Sequence, residues 1–443
     1  MTEPSPERPA VSRPRRWLER LKINRFRSIE PGTELCFSEG LHVLLGKNAT
    51  GKSTLLDLIA AAIDLNFDRQ TFHEEPIDLE FVLRAGAYRV EAAVKREAQL
   101  ARPRFGARKA EVSEQTIHEE GRYTFRADSG FEVTVNLSTE ELPQRAVKGV
   151  DPAEIGLDEQ LGWRHQRPPL APRIWGLRDT WFQGSLYKYP ALGTLLGEGA
   201  FSFGTHDQIL QRAPESDELL DAIEGGGSEI CLGDSYCSYP GWLPKKIFDD
   251  LPRDGSNIDV PLAAEPLLSF FIREMGFSEA RMFLGPPRTE QRVGHESFVY
   301  SSPAFAFYRD GRLARRADQL SYGQRRLFAL GWYLMCNLDV AILDEPANGL
   351  HESWIAFLVS QLQDRQVFLT SQNREVLDML PFSTEMELRR GFILCESRKN
   401  PDGVEPALSW RGLRDDESSL MIKALHASRI DLVTDLLRAL NLW

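Results

Sequence analysis

The stretch Leu41-His42-Val43-Leu44-Leu45-Gly46-Lys47-Asn48-Ala49-Thr50-Gly51-Lys52-Ser53-Thr54 decides the fold. Leu41 to Leu45 reads as a short buried strand. Thr54 to Ile63 reads as a helix with Leu55, Leu58, Ile59 and Ala62 on one face. Between them, Gly46 to Ser53 fits G-x-x-x-x-G-K-[ST]. Strand, glycine loop and helix N-terminus in that order give the pattern its chemistry. Loop N–H groups and the helix dipole can hold the negative oxygens of a nucleotide. The spacing predicts binding by Gly46, Asn48, Gly51, Lys52, Ser53 and Thr54, with Lys52 reaching the β- and γ-phosphates and the Ser53 hydroxyl on Mg²⁺. The bland alternative, a glycine turn that merely caps a helix, does not require these flanks.

The chain has 443 residues, enough for two or three domains and a large core. No apolar run approaches the ~20 residues needed to span a bilayer, so no membrane partner is expected. Residues 1–16, with Pro4, Pro6, Pro9 and Pro14 and no apolar h-region, read as a disordered leader and not a signal peptide. Five cysteines without C-x-x-C spacing argue against a zinc site or a disulfide framework and for a reducing cytoplasm. A net charge of −12 does not suggest a chain coated for nucleic acid. Two basic clusters, residues 13–27 and Arg309, Arg312, Arg315 and Arg316, are either solvated surface or local phosphate contacts.

Far downstream, Leu338-Asp339-Val340-Ala341-Ile342-Leu343-Asp344-Glu345 is a mostly apolar run ending in two carboxylates, as a buried parallel strand delivering acids at its C-terminal end would be. Asp344 is placed to hold Mg²⁺, and Glu345 to polarise the water that attacks a γ-phosphate. Just upstream, Leu320-Ser321-Tyr322-Gly323-Gln324-Arg325-Arg326 opens a helix reaching about Asn337.

That stretch resembles the LSGGQ signature of ABC ATPases, with Tyr322 in place of the first glycine. The resemblance implies an α/β P-loop NTPase fold of ABC type and a homodimer that sandwiches ATP. Ser321, Gly323 and Gln324 would then complete the site of the opposite subunit. Pro346-Ala347-Asn348-Gly349-Leu350-His351 and the strand Val367–Thr370 with Ser371-Gln372-Asn373 resemble the family's D-loop and switch region. Gln372 stands where the family has a histidine. Glutamine can donate a hydrogen bond to phosphate but cannot carry a proton charge, so slow hydrolysis is expected.

The stretch from Ser53 to Ser321 is more than twice what transporter-type members have there. Such a large insertion between the Walker A loop and the signature motif, with the opening Leu21-Lys22-Ile23-Asn24-Arg25-Phe26-Arg27-Ser28-Ile29, resembles the RecF/SMC/OLD-like branch. In that branch Arg25 or Arg27 would touch nucleotide or DNA; strand polarity accounts for them equally well. No sustained heptads indicate a coiled-coil arm. The stretch after Asn373 is too short for a TOPRIM nuclease domain, which would place any nuclease or toxin activity in a separate partner.

The expected organisation is a leader at 1–16, an ATPase part with a β lobe at 17–95, an insertion domain at 96–280, a second ATPase part at 281–395 and a helical segment at 396–443. Hairpins are expected at 79–94 and 123–137. Residues 143–190 interleave tryptophan with arginine, either a nucleic-acid clamp or an interdomain seam. Gln183 there is the candidate Mg²⁺-sensing glutamine. The acids of 214–260 repeat no ligand pattern and read as a solvated face. Two functional readings stand open: an ATP-hydrolysing switch regulating a separately encoded effector in phage defence or a toxin–antitoxin system, and a RecF-like repair ATPase clamping duplex DNA.

Overall fold

The computed structural model describes residues 16–64, 75–85, 88–99, 116–127, 132–138, 144–148, 230–233, 243–252, 254–292, 295–300, 303–382, 384–398, 406–427, 433–440 and 442. The described chain opens with the hairpin β1 (Arg16–Phe26) and β2 (Thr33–Cys36), followed by β3 (Leu41–Leu45) and the phosphate-loop helix Lys52–Asp64. Next come β4 (Ile77–Ala85), β5 (Tyr88–Gln99), β6 (Thr116–Ala127), β7 (Glu132–Ser138) and β8 (Gln144–Lys148). With β3 left out, these form one antiparallel sheet in the order β2-β1-β4-β5-β6-β7-β8.

Two smaller antiparallel sheets follow. One joins β9 (Ile230–Gly233) to the hairpin β12 (Arg288–Arg292) and β13 (His295–Tyr300). The other runs β10 (Ile258–Pro261), β11 (Glu279–Leu284), β14 (Ala304–Arg309), β15 (Arg312–Arg316). The central sheet takes β3 together with β16 (Val340–Asp344), β17 (Gln366–Thr370), β18 (Phe392–Arg398) and β19 (Ala407–Gly412), in the order β16-β17-β3-β18-β19. All its pairings are parallel except β18 with β19.

The central strands are apolar on both faces because both faces are covered. Alternate residues go to opposite cores: Val43, Leu343, Leu369 and Leu394 to one, Leu44, Ile342, Phe368 and Ile393 to the other. The second core is filled by Leu55, Leu58 and Ile59 of the phosphate-loop helix and by β1 and β4. The first is filled by the helices Tyr322–Cys336, Glu352–Gln361 and Arg374–Asp378. Each fully buried Leu or Phe is worth about 1.5–3 kcal/mol, so this double layer holds the site's strands rigid. His42 is the polar exception in β3. It is fully buried, stacked on Phe368 at 5.0 Å, with Nδ1 and Nε2 at 2.8 and 2.9 Å from the Arg390 and Ser38 carbonyls.

The expected boundaries do not follow the sheets. The cuts at 95, 280 and 395 fall inside β5, β11 and β18. β6 to β8 extend the sheet begun by β1, and β10 pairs with β11, so the described strands of 96–280 belong to flanking sheets. Backbone pairing, which leaves no mark in composition, decides this. The strand with the FRSI stretch ends at Phe26, because Arg27 turns out at φ +45°. The segment expected to be helical, 396–443, holds the end of β18, all of β19 and the helices Asp415–Ala427 and Val433–Ala439, with Met421 and Leu437 buried and Leu420 exposed. Residues 149–229, including Gln183 and the tryptophan–arginine stretch, lie outside the described residues. Among the described residues no helix is long and apolar enough to cross a membrane.

Candidate functional site

Parallel strands bring their C-terminal ends to one edge of the sheet, where a crevice can form. β3 delivers the phosphate loop there, β16 delivers Asp344 and Glu345, and β17 delivers Thr370 to Gln372. Gly46 and Gly51 have φ of +154° and +81°, conformations that glycine adopts without strain. A Cβ at Gly46 would also collide with the Cys395 carbonyl. Trp410, buried behind the loop, donates from Nε1 to the Thr50 carbonyl at 3.0 Å. The Lys52 ammonium donates to the carbonyls of Gly46 at 2.8 Å and Lys47 at 3.1 Å, which holds it at the loop.

The Ser53 hydroxyl donates to Asp344 Oδ2 at 2.8 Å, and the Thr370 hydroxyl donates to Asp344 Oδ1. Thr370 Oγ1 also accepts from the Glu345 N–H at 3.0 Å. Gln372 spans the crevice. Its backbone N–H donates to Glu345 Oε2 at 3.0 Å, and its side-chain Nε2 donates to Asn48 Oδ1 at 2.9 Å. Glu345 Oε1 is buried without a hydrogen-bond partner among the described residues. Burial pushes the Glu345 carboxyl above its ordinary range, and Asp344 adds to this, while the Gln372 N–H, Lys52 and Arg326 oppose it.

Thus Asn48, Lys52, Ser53, Asp344, Glu345 and Gln372, scattered over more than three hundred residues, share one crevice. Thr54 lies beside Arg27 Nη1 at 3.4 Å, and Arg27 itself forks onto Glu75 at 2.7 and 2.8 Å. The residues suit a triphosphate with its metal: a glycine cradle, a lysine, a hydroxyl–carboxylate pair of hard oxygen donors, and an unpaired carboxylate oxygen. Bound Mg²⁺ would supply charge neutralisation at the phosphates. Thr370, Trp410 and Arg326 were missed from sequence. Only Thr370, the last residue of an apolar strand, carried a positional signal.

The signature residues lie in a different setting. Ser321 caps the helix Tyr322–Cys336, with its Oγ accepting from the Gln324 N–H at 3.3 Å while Gln324 Oε1 accepts from the Ser321 N–H at 3.1 Å. Gln324 Nε2 donates to the Met275 carbonyl at 3.0 Å. A Cβ at Gly323 would press on Trp354 and the Gly349 carbonyl, so the helix start packs closely against the segment after Glu345.

Two family matches bracket this geometry. Residues 20–145, which contain the phosphate loop, match a family described as an AAA domain. Residues 243–378, which contain the signature stretch, both carboxylates and Gln372, match one described as "AAA domain, putative AbiEii toxin, Type IV TA system". Both matched stretches are thus described as AAA domains. This agrees with the ABC/AAA-type ATPase resemblance of its motifs. No curated protein is similar enough in sequence to match. Solved structures similar to this chain include an SMC head bound to the C-terminal winged-helix domain of ScpA (12% identity, 90% of this chain and 99% of that one, TM-score 0.39). The SMC head domain from Thermotoga maritima is similar at 11% identity, over 90% of this chain and 99% of that one, with TM-score 0.36. The recombination mediator protein RecF is similar at 15% identity, over 82% of this chain and 95% of that one, with TM-score 0.29.

Proposed function

We propose that the protein is a cytoplasmic Mg²⁺-dependent ATP hydrolase of the RecF/SMC/OLD-like branch, working as a switch that dimerises around ATP. The observation that carries this reading is the crevice in which Ser53 meets Asp344 while Gln372 joins Asn48 to Glu345. In it, Gly46, Gly51 and Lys52 hold the phosphates, Ser53 and Asp344 hold the metal, and Glu345 takes the proton of the attacking water. Gln372 holds loop and base in register but supplies no proton charge, so turnover is slow. Ser321, Gly323 and Gln324 present their helix N-terminus to the partner's nucleotide.

The switch regulates a separately encoded effector in phage defence or a toxin–antitoxin system. The toxin–antitoxin wording of the family matched over 243–378 supports this. A second reading, a clamp on duplex DNA, draws on Arg309, Arg312, Arg315 and Arg316, all exposed on the β14–β15 hairpin.

Glu345→Gln is expected to keep ATP binding, to lose about 10²–10⁴-fold in turnover and to accumulate as an ATP-bound dimer in size-exclusion light scattering. A variant that stays monomeric at saturating ATP sinks the sandwich. Turnover stimulated by duplex DNA, in a salt-dependent way, favours the clamp; turnover indifferent to DNA favours the effector switch.

A further inference from the structure

Glu345 sits at φ +48°, a left-handed conformation that costs a non-glycine residue about 1–3 kcal/mol and persists only where neighbours over-determine it. Thr370 and Gln372 secure its N–H and its carboxylate. On the carbonyl side the restraint comes from Arg326. This guanidinium is only 4% exposed; Nη2 donates to the Glu345 carbonyl at 2.6 Å and Nε to the Pro346 carbonyl at 3.1 Å. Four residues earlier, one turn along the same helix, stands Tyr322, 48% exposed. Its hydroxyl accepts from Arg326 Nη1 at 3.5 Å, and its ring lies so close to Gly349 that no Cβ could be placed there. Gly349 follows Glu345 by four residues, at φ +76°. An exposed ring, a buried guanidinium and the strained backbone of the carboxylate residue are therefore continuous.

We infer that Arg326 is a positioning residue for Glu345, and that Tyr322 is the surface end of the same strap, which couples the signature face to the alignment of the carboxylate. The inference rests on Glu345 being the general base. Distances rank its parts. The 2.6 Å charge-assisted bond is strong, whereas 3.5 Å is at the limit of a hydrogen bond. The ring against Gly349, more than the phenol hydroxyl, carries the coupling.

The test is steady-state ATP turnover of the full chain, resolved into kcat and KM, with thermal melting as the folding control. Arg326→Lys keeps the charge but loses the fork. It should lower kcat about 10- to 100-fold with KM within about threefold of wild type, because a misaligned base costs chemistry and not binding. Arg326→Gln should show the same fall in kcat at unchanged KM. Tyr322→Ala should lower kcat about fivefold, and Tyr322→Phe less than about twofold.

Arg326→Lys that folds and turns over like wild type overturns the strap, as does a loss expressed wholly in KM. If Arg326→Lys does not fold, Tyr322→Ala decides, and unchanged kcat there overturns the inference. Glu345→Gln run in parallel separates the two claims. If it turns over normally, Glu345 is not the base; if it is dead while Arg326→Lys is normal, the strap alone fails.

Discussion

At the phosphate loop, polar groups from three parallel strands converge on one another, whereas at Leu320-Ser321-Tyr322-Gly323-Gln324 they bond within one helix start and to the Met275 carbonyl. The first arrangement is assembled from distant parts of the chain and leaves a buried carboxylate oxygen unpaired. The second is self-capped and presents an exposed aromatic ring. A site with an orphan acceptor is poised for chemistry inside its own chain. A capped helix start with its donors engaged is a finished surface, suited to meeting something from outside. Arg326 reaches from the signature helix to the turn of Glu345.

The largest effect that would sharpen this contrast is at the loop. Lys52→Ala should weaken ATP binding at least ~100-fold, read by titration with a fluorescent ATP analogue, because it removes a charge-assisted contact to phosphate. The melting temperature should hardly move, since among the described residues Lys52 bonds only to loop carbonyls. Wild-type affinity in that variant would break the comparison outright.

An intermediate effect lies in the pH dependence of kcat. Glu345 must be ionised to accept a proton, and burial raises its pKa. Turnover should therefore be full on the alkaline side and fall as the pH drops through that raised value. The acidic limb should lie above the ordinary carboxyl value of 4.5. A limb at or below that value would mean that another group limits the reaction.

The smallest effect is at the signature. Ser321→Ala removes a helix cap, at a cost of about 1 kcal/mol, and Ser321→Gly should cost only a few tenths. A urea midpoint measurement separates the two. If Ser321 also serves a neighbouring protomer, both variants should weaken ATP-dependent dimerisation by more than these stability changes account for. Equal dimerisation in all three proteins would leave the signature a purely structural cap.

Much of this was legible beforehand because it is local. The phosphate loop, its strand and its helix occupy consecutive residues, and β16 announces itself by an apolar run ending in two acids. β17 was readable for the same reason, as were the hairpins of the antiparallel sheet. Domain limits were not legible, because β6 to β8 join β1 and β4 through backbone pairing, whose register carries no compositional mark. The exposure of Leu420 was not legible either. An apolar helix pattern names one face, and packing then decides which members of that face are covered.

The order of motifs along the chain determined by itself that this is a P-loop α/β protein, and which loop, strand end and helix start are proposed to carry its chemistry. A phosphate cradle needs residue types at fixed short spacings, and short spacings survive in sequence. Only the tertiary structure decided that Thr370 braces Asp344, that Gln372 ties Asn48 to Glu345, and that Arg326 clamps the strained turn beneath the carboxylate. Those partners stand up to 324 positions apart. Contacts over such distances depend on how strands and helices stack, and neither periodicity nor composition records that.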